Sequence, residues 1–139
     1  MRTGLRPEDL GDFLQLPLVA VLATRRQDDS ILLSPVWFEW RDGRIGLWAH
    51  STEDGKVRHI VRDPRVSIVV ANSDWPYKGI EVRGTATVSG EGFYEILERT
   101  ATRYLGEESA ARMLATYQPG VVVGIEADNG RVWDYADDA

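Results

Sequence analysis

The most constraining feature of the chain is the tetrapeptide Arg41-Asp42-Gly43-Arg44, because an Asp-Gly pair between two apolar runs is the strongest short-range signal for a β-hairpin. Such a turn needs positive φ at both central residues, which aspartate tolerates and glycine adopts at no steric cost. Ile31 to Trp40 is therefore read as one strand and Ile45 to Ala49 as its antiparallel partner. A lone hairpin is marginally stable at best in water, so other segments must complete a sheet.

Several runs qualify. Leu18 to Thr24 is almost continuously apolar and stops at the turn formers Gln27-Asp28-Asp29-Ser30. Arg65 to Ala71 is rich in β-branched residues and is followed by the loop Asn72 to Pro76. Ile80 to Val88 alternates, which predicts Glu81, Arg83, Thr85 and Thr87 on a wet face and Val82, Gly84, Ala86 and Val88 on a packed one. Val121 to Ala127 and Val132 to Tyr135 read as two last strands around an Asn129-Gly130 turn.

Helices are expected at four places. Pro7 suits the first position of an amphipathic helix to Leu16 that turns Leu10, Phe13 and Leu14 inward. Ser51-Thr52-Glu53-Asp54 fits a capping box before a short helix whose stripe is Val57, Ile60 and Val61 and which stops at Asp63-Pro64. Phe93 to Tyr104 and Glu107 to Tyr117 follow, separated by Gly106, with Ile96, Leu97, Leu105, Met113 and Leu114 facing the core. The expected fold is mostly β, with six to seven antiparallel strands in a closed or nearly closed barrel that hides its edges behind short peripheral helices. A ferredoxin-like sandwich is the alternative, but it needs a more regular alternation of helices and strands.

With 139 residues, 43% of them hydrophobic, the chain has material for one core, and no linker or repeat divides it, so a single domain over residues 1–139 is expected. The net charge of -6 supplies no electrostatic footprint for nucleic acid. The absence of cysteine removes disulfides, thiolate metal sites and cysteine nucleophiles. Residues Met1 to Leu10 are charged where a signal peptide would be apolar, and no run reaches membrane-spanning length, so the expectation is a cytoplasmic protein without a membrane partner.

The familiar catalytic motifs are missing. There is no G-x-S-x-G, P-loop or H-E-x-x-H, and His50 and His59 have no ligand-like spacing. No catalytic side chain and no metal site is assigned. His59 reads as a surface residue and His50 as a residue at the barrel rim. Ser51, Thr52 and Lys56 have two readings: an ordinary helix start with a solvated lysine, or an anion site built from free backbone N–H groups and an ammonium. Glu53 and Asp54 argue against the anion, since carboxylates there already complement the helix dipole. The five tryptophans Trp37, Trp40, Trp48, Trp75 and Trp133 lie on or beside strands, where core packing and the walls of a groove for a flat ring are both open readings.

Three segments carry a resemblance over nearly the whole chain: LVAVLATRRQDDSILLSPVWFEW, GRIGLWAHSTEDGKVRHIVRDPRVSIVVAN and GIEVRGTATV. Their order is similar to the pyridoxamine-phosphate-oxidase-like split-barrel superfamily, and the middle segment most resembles the branch that uses the deazaflavin coenzyme F420, beside relatives that hold FMN. The resemblance implies a split β-barrel homodimer with F420 or FMN in a groove between subunits. It implies that Ser51, Thr52 and Lys56 hold the cofactor phosphate. Ser34, Pro35, Val36 and Trp37, with Trp48, Ala49 and His50, are implied to lie against the ring, and Trp75 and Tyr77 to reach the site from the other subunit.

The function so implied is an oxidoreductase that passes a hydride between the bound cofactor and a small organic substrate. The alternative is a carrier that binds a flavin, deazaflavin or tetrapyrrole without turnover; a structural dimer with an empty groove is the third reading. Gly130 to Tyr135 lacks the arginine- and histidine-bearing tail of true pyridoxamine phosphate oxidases, which disfavours vitamin B6 oxidation.

Overall fold

In the computed structural model, which describes residues 4–138, seven strands form one antiparallel sheet. They are β1 (Ala20–Arg25), β2 (Ile31–Val36), β3 (Glu39–Arg41), β4 (Arg44–Ala49), β5 (Arg65–Ala71), β6 (Lys78–Ser89) and β7 (Val121–Asp134). Three α-helices interrupt them: α1 (Gly55–Arg62), α2 (Phe93–Leu105) and α3 (Glu107–Thr116). The spatial order is β2-β1-β5-β6-β7-β4-β3.

That order forces the sheet to curl. Laid flat, the two edge strands would stand about 29 Å apart, six spacings of roughly 4.8 Å. Yet β2 and β3 are consecutive, and the link from Val36 to Glu39 through Trp37 and Phe38 spans at most about 11 Å. The edges therefore meet at this corner. Phe38, with no exposed surface, plugs the closure.

Inside lie Leu22, Ile45, Leu47, Ile68, Val70, Ile80 and Ile125, one face of each alternating strand. Val57 and Ile60 of α1 complete this core, as do Leu10, Phe13 and Leu14 from the N-terminal segment. The alternation of β6 is as expected, with Val82, Gly84 and Ala86 buried and Arg83, Thr85 and Thr87 exposed.

The structure departs from the sequence reading in several places. Ile31 to Trp40 is two strands, because the chain turns the barrel corner at Trp37-Phe38. Pro7–Gln15 is 3-10 helix broken at Gly11, whose φ of 64° no α-helix accommodates. Asp42 and Gly43 have the positive φ that the hairpin needs, 53° and 73°. Asn129 and Gly130 do not, so the last two expected strands are one continuous β7 that follows the long β6 and absorbs Asp128 as a bulge opposite Arg83 and Gly84. Val61 and Leu105, expected inside, are exposed.

Candidate functional site

On the outer face of β4 the residues Gly46, Trp48 and His50 follow one another at the strand period of two. The α2–α3 pair covers this face. It packs so closely that a Cβ on Gly46 would lie 3.1 Å from Ile96 Cδ1. Trp48 is held there by its indole N–H, which donates to Thr100 Oγ1 at 3.0 Å, and by edge contact with Phe93. The barrel corner brings Trp37 edge-on to Trp48, with centroids 6.1 Å apart.

These elements enclose a cleft of about 270 Å³ lined by Pro35, Val36, Trp37, Trp48, Ala49, His50, Asp54, Lys56, Met113 and Tyr117. Met113 and Tyr117 come from the end of α3 at a spacing of four, which puts both on one side of the helix. The Tyr117 ring lies 5.1 Å from that of His50. One wall of the cleft is thus aromatic and apolar, and the other end is ionic.

The ionic end is the start of α1. Asp54 is the N-cap: its Oδ1 accepts the Lys56 backbone N–H at 3.1 Å, and its Oδ2 lies 3.0 Å from Lys56 Nζ. One carboxylate thus caps the helix and neutralises the Lys56 ammonium. The capping box expected at Ser51 is replaced by a turn in which Ser51 Oγ accepts the Glu53 N–H. The cap shifts to Asp54 because Gly55, not Thr52, opens the helix.

Of the residues expected to touch a cofactor, Pro35, Val36, Trp37, Trp48, Ala49, His50 and Lys56 line this cleft. Ser51 and Thr52 are exposed in the turn that leads to it, and Ser34 is half-buried in β2 beside Pro35. Trp75 and Tyr77 lie in the connection from β5 to β6, packed on each other and on Tyr135, and do not line the cleft of their own protomer. Met113 and Tyr117 were missed as lining residues; their helical spacing was visible, but which face met β4 was not. His59 is not a plain surface residue: its Nδ1 lies 3.1 Å from the hydroxyl of fully buried Thr24.

The model of the pyridoxamine 5'-phosphate oxidase family matches residues 7–134. The chain belongs to the pyridoxamine 5'-phosphate oxidase family. The comparison with curated proteins found no match. Among solved structures of this fold, a conserved hypothetical protein from Mycobacterium tuberculosis is 26% identical with a TM-score of 0.76, over 96% of this chain and 88% of that one. A protein named F420 reductase is 24% identical with a TM-score of 0.70, over 94% and 98%. An FAD-binding protein from Mesorhizobium loti is 17% identical with a TM-score of 0.67, over 94% and 93%. Among the described residues of this family member, no helix is long and apolar enough to cross a membrane.

Proposed function

We propose that the protein is an oxidoreductase that binds F420, or in second place FMN, in the cleft between β2, β4, α1 and α3, and acts on a small organic substrate. The observation that carries the reading is the pairing of an aromatic wall with a cation in one cleft: Trp37 and Trp48 at one side, Lys56 at the other. A planar ring with an anionic tail has that same division. Family membership and the names of the structural relatives, one an F420 reductase and one an FAD-binding protein, support the same class of ligand.

The residues fit such a group in part. Pro35, Val36 and Trp37 would hold the ring, and Lys56 the phosphate, but Asp54 must first release or share the ammonium. When bound, the ring supplies the hydride chemistry. The chain supplies orientation through the fixed Trp37 and Trp48, and exclusion of water through Met113 and Tyr117.

A dimer completes the site in this reading. The cleft volume of about 270 Å³ is below the roughly 300–1,000 Å³ of ligand pockets. The outer side of β1 and β2 exposes Val19, Ile31 and Leu33, and Trp75 and Tyr77 are exposed beyond the end of β5. Large apolar side chains exposed in this number on one side of a sheet suit an interface. A second copy laid on it would bring Trp75 and Tyr77 towards the open cleft.

The test is titration with reduced F420 and with FMN in parallel, followed by oxidation assays of the bound reduced cofactor. Saturable F420 binding with reoxidation by an organic acceptor supports the enzyme. Binding without reoxidation by any acceptor would make the protein a carrier, and no saturable binding of either compound would refute both.

A further inference from the structure

The ionic end of the cleft holds an anion as well as a cation. Among the described residues that line the cleft, Lys56 is the only lysine or arginine, and Asp54 is paired with it. The carboxylate cannot swing aside without uncapping α1, because Oδ1 accepts the Lys56 backbone N–H at 3.1 Å while Oδ2 lies 3.0 Å from Nζ. Asp54 thus takes two donors that an incoming anion would use, one from the backbone and one from the ammonium.

The pair is set deeper than its neighbours. The Asp54 and Lys56 side chains are 30% and 17% exposed, so solvent screens their charges only in part. Glu53 is exposed in the turn before them and lines no part of the cleft. Arg62, further along α1, reaches the Arg25 carbonyl instead.

An ammonium has three donors, so Lys56 can hold an anion while Asp54 keeps its own contact. Two oxygens on neighbouring N–H groups of one ammonium stand about 5 Å apart. An anion bound there feels the Asp54 charge at close range, in proportion to its own charge. A phosphodiester carries one negative charge, whereas a phosphate monoester carries nearly two above its second pKa of about 6. The attraction of Lys56 for the second charge is offset by Asp54, while the cost of taking that charge out of water remains.

We propose that Asp54 is a specificity residue of this cleft: together with Lys56 it admits a singly charged phosphodiester and disfavours a phosphate monoester. The proposal rests on the cofactor reading of the cleft. F420 joins its ring-bearing chain to its tail through a phosphodiester, and FMN ends in a monoester. One carboxylate therefore separates the two cofactors by charge, apart from any difference between their rings.

The test is calorimetric titration of the whole protein at about pH 8, where the monoester is fully charged, with FMN and its methyl phosphodiester, which share ring and chain and differ by one charge. The 5'-phosphate of the ring-bearing chain of F420 and its methyl ester form a second pair. The parent should bind each diester more tightly than its monoester. In Asp54→Asn, which keeps the cap, the monoester should gain about tenfold relative to the diester, the effect of one charge at about 5 Å and an effective dielectric constant of about 40. Asp54→Ser, an equally good cap, takes its place if the asparagine variant does not fold. Glu53→Gln removes the same charge from an exposed position and should change the ratio less than about twofold. With the compounds bound, a ratio equal in parent and Asp54→Asn overturns the proposal and leaves the cofactor reading intact. A shift as large in Glu53→Gln also overturns it, by tracing the effect to net charge. Failure of all four compounds to bind saturably to parent and variant overturns the proposal and the cofactor reading together.

Discussion

The Tyr104 ring stacks on that of Trp37 with centroids 4.8 Å apart and planes 7° from parallel, while its hydroxyl donates to the Leu18 carbonyl and accepts the Phe38 N–H. A residue of α2 thus sets the plane of one cleft wall and ties down the barrel corner at once. Tyr104→Phe keeps the stack but leaves both backbone groups without their partner, and should cost about 1–3 kcal/mol. Tyr104→Ala also removes the ring and should cost about 3–5 kcal/mol. Urea unfolding monitored by tryptophan emission measures both; a Tyr104→Phe variant as stable as the parent would show the hydroxyl to be idle.

Lys56 and Asp54 make opposite predictions for cofactor affinity. Lys56→Ala should weaken binding by about ten- to a hundredfold, the worth of one charge-assisted contact of about 1.5–3 kcal/mol. Asp54→Asn should tighten it, because asparagine caps a helix as well as aspartate does but releases the ammonium. Lys78→Ala, on the first residue of β6, is the control and should leave affinity unchanged. If replacing Arg58 or Arg62 has the larger effect instead, the phosphate sits further along α1.

Leu33 is 64% exposed on the outer side of β2. In a dimer through this face, Leu33→Arg would place a cation in an apolar contact, and sedimentation should move from the mass of two chains to that of one. The same change should abolish cofactor binding if Trp75 and Tyr77 come from the second subunit. A parent protein that sediments as one chain at micromolar concentration contradicts the shared site.

The Arg65 guanidinium, and then the Arg65 backbone N–H, hold the Asp63 carboxyl well below the usual carboxylate range. The folded pKa is therefore lower than the unfolded one. The stabilisation is fully present above the unfolded value of about 3.9 and is lost as pH falls through the folded one. Asp63→Asn should accordingly lower the melting temperature at neutral pH, and the gap between variant and parent should close as both are taken into acid. A gap that widens below about pH 4 would contradict the assigned direction.

Much of the barrel was legible because its signals are local. Asp42-Gly43 carries its own turn geometry, and the alternation from Ile80 to Val88 marks its own two faces. The errors arose where distant elements decided the outcome. Asn129-Gly130 has the composition of a hairpin turn, yet β6 is long enough to keep β7 paired on both sides of it. Neither Trp37 nor Phe38 is a turn-forming residue, and the chain bends there because the two sheet edges must meet. For the cleft, Lys56 and the residues of β2 and β4 could be named from the resemblance. Met113 and Tyr117 could not, since the packing of α3 against β4 depends on contacts absent from either segment alone.

The placement of β4 between β3 and β7 has a kinetic consequence. The β3–β4 hairpin can form early by itself, but among the described residues its only ladder to the rest of the sheet is with β7, more than seventy residues later. Closing so long a loop is slow, and the contacts that reward it come only at the end. The topology therefore predicts that Trp48, Ala49 and His50 take their places after β1, β5 and β6 have paired. The aromatic wall of the cleft would then be a late product of folding, assembled on a half-sheet formed before it.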